Sequence, residues 1–242
     1  AISAPIATQE DFKKIGVPYS QKMSFMSRVH KYLFEIADKM QLPTKKRIIR
    51  EKSFTFDSSI LTSSDNSYLV GVWQSEKYFT EIKDVIRNEF LVKKWSELGS
   101  TFKKQIETKS VGTPVSVHVR RSDYVSNAKA HAKHGVLPVE YYKRAFDLIT
   151  KKVSNPTFYI FSDDVEWCKA NLSFMRPTIV VSDPELSPTE EMAIMSLCEH
   201  HIIANSSFSW WGAWLDPRKD KTVIAPREWF KTIADTRDLI PE

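Results

Sequence analysis

From Pro114 onward the chain alternates short apolar strands with helical segments, and this alternation confines it to an α/β fold on a parallel sheet. Val115, Val117 and Val119 alternate with Ser116, His118 and Arg120, the period of two that marks a strand. The pattern predicts one apolar face, with His118 and Arg120 sharing the other. A loop carrying His131 and His134 follows, then a helix near Val139–Lys152. Further strands are expected at Thr157–Phe161, Thr178–Val181, Ile202–Ala204 and Val223–Ala225. Helices are expected between them at Val165–Leu172, at Thr189–Glu199 with Thr189 as N-cap, and at Ser207–Leu215.

Before Pro114 the order is less regular. Residues 1–63 are mixed and charged, with a helix predicted at Ser24–Met40. Leu69–Trp73 has the character of a short strand, and Glu81–Phe90 and Trp95–Thr108 of amphipathic helices. Composition shifts near residue 110, which divides the chain into 1–110 and 111–242.

Bulk properties exclude more than they select. Net charge is +5, from 35 basic and 30 acidic residues, which suits an anionic substrate or peripheral contact with a membrane surface. The basic residues form no concentrated stripe, so nucleic acid is not an expected partner. The two cysteines, Cys168 and Cys198, have no zinc-site spacing and make no disulfide framework, which predicts a reducing, cytoplasmic location. No apolar run approaches the roughly 18–20 residues of a membrane span, and the first residues carry no signal-peptide core. The six glycines form neither a phosphate loop nor a dinucleotide fingerprint. Any bound phosphate must then be held by arginines, hydroxyls and helix N-termini.

In open α/β sheets ligands bind beyond the carboxyl ends of the strands, and three polar clusters fall at such ends. The first is His118, Arg120, Arg121 and Asp123, either an anion clamp or a salt-bridge network. The second is Ser162-Asp163-Asp164. Its carboxylates could hold a divalent ion, accept hydrogen bonds from a purine or a ribose, or cap the helix that follows. The third is Asn205-Ser206-Ser207-Phe208-Ser209, where hydroxyls and free N–H groups meet at a helix start, as an anion site or as simple capping. Trp210, Trp211 and Trp214 read as core packing before a sugar-stacking platform, and Trp73-Gln74-Ser75-Glu76 as packing or a sugar-site lining.

Together these residues resemble a known family. His-Val-Arg-Arg-Ser-Asp-Tyr at 118–124 is similar to the His-x-Arg-Arg-x-Asp-Tyr motif of the α1,2-fucosyltransferases. Trp73 to Phe79, Phe161 to Asp164, Ala204 to Leu215 and Ile224 to Phe230 agree with it, and the bacterial members, which lack a membrane anchor, look closest. The resemblance implies a GT-B architecture: a nucleotide-binding parallel-sheet domain at 111–242 and a smaller acceptor-side domain at 1–110. It implies inverting, metal-independent transfer of L-fucose from GDP-fucose to the 2-hydroxyl of a galactose-terminated glycan. Ser122 stands where the family most often has glycine. The family's opening Gly-Gly-Leu-Gly-Asn-Gln turn has no counterpart here, so the expectation is either a further N-terminal piece or an unusual acceptor-side domain.

The residues' own chemistry, with the family motif, assigns expected roles. Arg120 takes the β-phosphate, with Arg121 in support, and Ser206, Ser207, Phe208 and Ser209 hold the diphosphate from the other side. Asp163 or Asp164 reads guanine or ribose, Asp164 first. His118 and Asp123 orient one another. Asp123, and after it His134, is the candidate base. The rival readings are a metal-dependent sugar-nucleotide transferase built on Asp163-Asp164 and a non-catalytic sugar- or nucleotide-binding protein.

Overall fold

A computed structural model describes residues 48–63, 67–232 and 235–240. The helix expected at Ser24–Met40 lies outside them. The chain divides into two compact units between Gln74 and Ser75.

In the first unit β1 (Ile48–Arg50) pairs in parallel with β2 (Tyr68–Val70). The expected strand at Leu69–Trp73 stops early because the chain turns after Val70. The Glu51 carboxylate accepts the N–H groups of Val72 and Trp73 at 2.7 and 3.3 Å, and Trp73 takes a positive φ of 53°.

The second unit contains α1 (Lys83–Glu89), α2 (Glu97–Glu107), β3 (Thr113–Val119), α3 (Ser122–Ser126), α4 (Ala128–His134) and α5 (Val139–Lys152). It continues with β4 (Pro156–Ser162), α6 (Val165–Asn171), β5 (Thr178–Val180), α7 (Pro188–Leu197), β6 (His200–Ile202), α8 (Ser207–Leu215) and β7 (Val223–Ile224). Five strands form an all-parallel sheet in the order β5-β4-β3-β6-β7.

Helices cover both faces, as parallel sheets require. Val115, Val117, Val119, Phe158 and Ile160 pack against Tyr142, Ala145 and Ile149 of α5 and Cys168 of α6. On the other face Tyr159 and Phe161 meet Ile106 of α2 and Ile194 and Met195 of α7. The polar face expected for β3 is therefore buried too, and Arg120 lies beyond the strand's end. Ser116 is satisfied there by His201 Nδ1 at 2.8 Å, and His201 Nε2 meets Asp216 Oδ2 at 3.0 Å. All three side chains are sealed from solvent, and burial holds the His201 imidazole below its usual range.

Two helix boundaries differ from expectation for identifiable reasons. α7 starts at Pro188, not Thr189, because Ser187 is the N-cap and closes a capping box with Glu190. Glu190 also accepts the Ser96 N–H at 2.6 Å, which ties the start of α2 to that of α7. The loop expected after Arg121 is instead α3 and α4. Asn127 caps α4 by accepting the N–H groups of Lys129 and Ala130, and Gly135, at φ 69°, ends it.

Candidate active site

The central position of β3, beside β4 and β6, brings the three polar clusters together at the carboxyl ends of neighbouring strands. Asp163, at the end of β4, turns towards the end of β3. Its carboxylate accepts the backbone N–H groups of Arg121 and Ser122 at 2.8 and 3.2 Å and meets Arg120 Nη1 at 3.3 Å. Its side chain is only 7% exposed. Ser122 donates its hydroxyl to the Asp163 carbonyl at 2.8 Å, a bond that glycine could not make.

Asp164 has a different surrounding. Its Oδ1 accepts the Trp167 N–H at 3.1 Å as N-cap of α6, and its Oδ2 accepts Arg121 Nε–H at 3.1 Å. The Arg121 guanidinium lies 4.2 Å from the centre of the Trp167 ring. Each of the adjacent carboxylates thus serves its own arginine. Among the described residues no group of three or more histidine, cysteine or acidic side chains is placed to hold a metal ion.

Arg120 is held between two carboxylates, with Nη2 2.8 Å from Asp123 Oδ1, yet its side chain stays 30% exposed. The expected pairing of His118 with Asp123 does not form, because Asp123 turns to Arg120 instead. His118 is 5% exposed, its ring 5.5 Å from Phe208 and its Nδ1 without a hydrogen-bond partner among the described residues. Burial, with the Arg120 charge beside it, brings its imidazole down to about 3, so it is neutral.

His134 ends α4 and stacks on Tyr124, with ring centres 4.7 Å apart and planes at 10°. Its Nδ1 has no partner among the described residues, and burial followed by the Lys133 charge lowers its pKa. His131 turns to the main chain, its Nδ1 2.9 Å from the Tyr124 carbonyl.

At the third cluster Ser206 is the N-cap of α8 without a side-chain capping bond, and the first helical bond runs from Trp210 N–H to the Ser206 carbonyl. The N–H groups of Ser207, Phe208 and Ser209 therefore have no acceptor among the described residues. The Ser209 hydroxyl, expected to face a ligand, is fully buried and donates to the Ala204 and Ser206 carbonyls at 3.2 Å. Only its N–H remains for an anion.

Two bonds join this helix start to the arginine cluster. Tyr124 donates its hydroxyl to the Asn205 carbonyl at 3.1 Å, and Asn205 Nδ2 donates to the His134 carbonyl at 2.8 Å. Asn205 Oδ1 is buried without a partner among the described residues. The arrangement presents a fixed guanidinium and a helix N-terminus, the two devices that bind a phosphate without a metal.

The aromatic residues of α8 are packing. Trp210 and Trp214 are buried, Phe79 stacks on Trp211 at 5.6 Å, and Trp214 Nε1–H donates to Glu76 at 2.9 Å. Sequence reasoning missed Glu191. This buried carboxylate accepts the Ser182 hydroxyl at 3.2 Å, and Ser182 accepts the Ser162 N–H at 2.9 Å. Burial outweighs the hydrogen bonds from Ser182 and Asp183 and pushes its carboxyl up to about 7. The available signal was Glu190-Glu191 in a first turn, where the capping box occupies one glutamate and leaves the other to face inward.

The model of a family described as glycosyl transferase family 11 matches residues 9–236. An alpha-1,2-colitosyltransferase from Escherichia coli is 39% identical over 164 residues, which cover 67% of this chain and 56% of that protein. A galactoside alpha-(1,2)-fucosyltransferase 2 from Gorilla gorilla gorilla is 32% identical over 113 residues, covering 46% of this chain and 33% of that one. The chain thus spans about half, or less, of the relatives it matches. The crystal structure of fucosyltransferase NodZ from Bradyrhizobium is similar over 59% of this chain and 60% of its own, at 14% identity and a TM-score of 0.35, too distant to bear on the architecture.

Proposed function

This chain belongs to glycosyl transferase family 11, and on that premise we propose that it transfers L-fucose from GDP-fucose to the 2-hydroxyl of a galactose-terminated glycan, with inversion and without a metal. In this reading the protein has a GT-B architecture, with GDP-fucose bound by residues 111–242 and the acceptor on the side of residues 1–110. The observation that carries it is the presence of Arg120 and of the unbonded N–H groups of Ser207, Phe208 and Ser209 at the carboxyl end of the same sheet, joined through the Tyr124–Asn205 hydrogen bond.

Breaking the fucose–phosphate bond leaves negative charge on the β-phosphate of GDP, and fixed cations and N–H dipoles stabilise it best. Arg120 serves that oxygen, oriented by Asp123 and Asp163. The N–H groups of α8 take the diphosphate from the other side, with Ser206 and Ser207 hydroxyls beside them. Arg121, clamped by Asp164 and Trp167, keeps the loop in place. Asp164 keeps lone pairs free for guanine, since a carboxylate can accept about four hydrogen bonds. His118 lines the cleft as a neutral donor or acceptor. Asp123, half exposed, is the first candidate for the base that takes the acceptor proton, and His134 the second. The reading also includes peripheral contact with a membrane surface, which the net charge of +5 favours.

Two alternatives are weighed by particular observations. The metal-dependent reading needs Asp163 and Asp164 to converge, whereas their carboxylates are engaged by different arginines. The alpha-1,2-colitosyltransferase that is 39% identical supports a second reading, in which colitose is the transferred sugar. Incubating the protein with GDP-fucose or a colitose donor and a panel of galactose-ended acceptors, with product linkage read by NMR, tests the proposal. Absence of a 1→2 linked product with every donor and acceptor would sink it.

A further inference from the structure

We propose that Tyr124 is a positioning residue that sets the Arg120 guanidinium against the β-phosphate and couples it to the start of α8. The inference rests on the reading of this cleft as a GDP-sugar site. Its basis is the number of site elements that meet at one side chain. The Arg120 guanidinium carbon lies 5.7 Å from the Tyr124 ring centre, and the His134 ring stacks on the same ring at 4.7 Å. The Tyr124 hydroxyl donates to the Asn205 carbonyl, one residue before the N-cap of α8. Its own carbonyl meets His131 Nδ1 at 2.9 Å, which secures α3 to α4.

Two carboxylates alone leave Arg120 with competing partners, one half exposed and one buried. An aromatic ring beside the guanidinium adds a preferred plane, because the electron-rich face attracts the cation. The hydroxyl then relates that plane to the helix whose N–H groups take the same diphosphate. Tyr124 is 8% exposed and burial pushes its phenol up to about 12, so it stays protonated and keeps donating. The ring and the hydroxyl make separable contributions, the first to the cation and the second to the geometry between the two halves of the clamp.

The test uses the affinities of GDP and GMP, measured by calorimetry, because their ratio isolates the β-phosphate. Tyr124→Leu is expected to lower the GDP:GMP affinity ratio by about 2–30-fold, the range of a partly desolvated cation–π contact, with GMP affinity unchanged. Tyr124→Phe, which keeps the ring, is expected to lower it by about 2–10-fold through loss of one hydrogen bond. In an Arg120→Ala background neither change should alter the ratio further. A Tyr124→Leu protein with the wild-type ratio, or a loss that persists without Arg120, would overturn the proposal. If Tyr124→Leu does not fold, Tyr124→Phe decides, and a wild-type ratio there overturns it. An unchanged ratio in Arg120→Ala itself would overturn the reading of the site along with this inference, and so separates the two failures.

Discussion

Asp163 accepts the backbone N–H of Arg121 at 2.8 Å across the boundary between β4 and β3. The same carboxylate accepts from Ser122 and faces Arg120, so one buried acid shapes the whole turn that carries the arginines. Asp163→Ala should strand two N–H groups at about 1–3 kcal/mol each, some of it recovered by water. Asp163→Asn, which can still accept at one oxygen, should cost less. Urea denaturation of the three proteins gives the ranking, and equal stability would remove Asp163 from this role.

Arg120→Ala is expected to reduce turnover by about 10²–10³-fold, the usual loss for one fixed electrostatic stabiliser. Arg120→Lys should restore part of it, since an ammonium cannot reach Asp123 and Asp163 while still presenting an edge to phosphate. Steady-state rates at saturating donor measure this, and full activity in the lysine protein would contradict it.

Because Asp163 is engaged with an arginine and two backbone N–H groups, and Asp164 with an arginine and one, transfer should continue in EDTA at close to its untreated rate. Inactivation by EDTA that Mn²⁺ or Mg²⁺ reverses would shift the diphosphate role to a metal.

Asp164 links base recognition to helix capping. Asp164→Ala should lower stability by about 1 kcal/mol through the lost N-cap and flatten the preference for GDP over ADP. Asp164→Asn keeps a capping oxygen, so it should spare stability while still weakening that preference. An unchanged nucleotide preference in both proteins would place base reading elsewhere.

Glu191 predicts a pH dependence of stability. Its carboxyl titrates near 7 when folded against a usual 4.5. Between these values the folded chain binds more protons than the unfolded one. The contribution is therefore fully present below pH 4.5 and is lost as pH rises through 7. Glu191→Gln, which can still accept from Ser182, should flatten that slope. At pH 8 it should be more stable than the parent by on the order of 1–3 kcal/mol. Denaturation curves at pH 5 and pH 8 check both, and parallel slopes would refute the assignment.

Local patterns carried most of the fold. Val139–Lys152 and Ser207–Leu215 form helices with the bounds their apolar spacing predicts; the strand at 113–119 starts two residues earlier than predicted, and the one at 156–162 extends by one residue at each end. The short helix Ala128–His134 was hidden because its alternation of alanine with lysine and histidine has no apolar face to signal it. The site was legible as three clusters but not as contacts. Tyr124 and Asn205 are 81 residues apart, and no local spacing announces their hydrogen bond. The same limit applies to the Ser209 hydroxyl, whose inward rotation is decided by the carbonyls of Ala204 and Ser206.

Ser116 and His201 face each other as direct partners in the ladder between β3 and β6. Their hydrogen bond, continued to Asp216, works as a key between the two strands. A slip of one residue would set a valine against the imidazole and strand a buried proton acceptor. Only one alignment of the sheet satisfies all three groups, and that alignment fixes how far Arg120 stands from the first turn of α8. A serine, histidine and aspartate in hydrogen-bonded sequence usually suggest a nucleophile. Here, with no atom open to a substrate, they act as a ruler for a cleft they never touch.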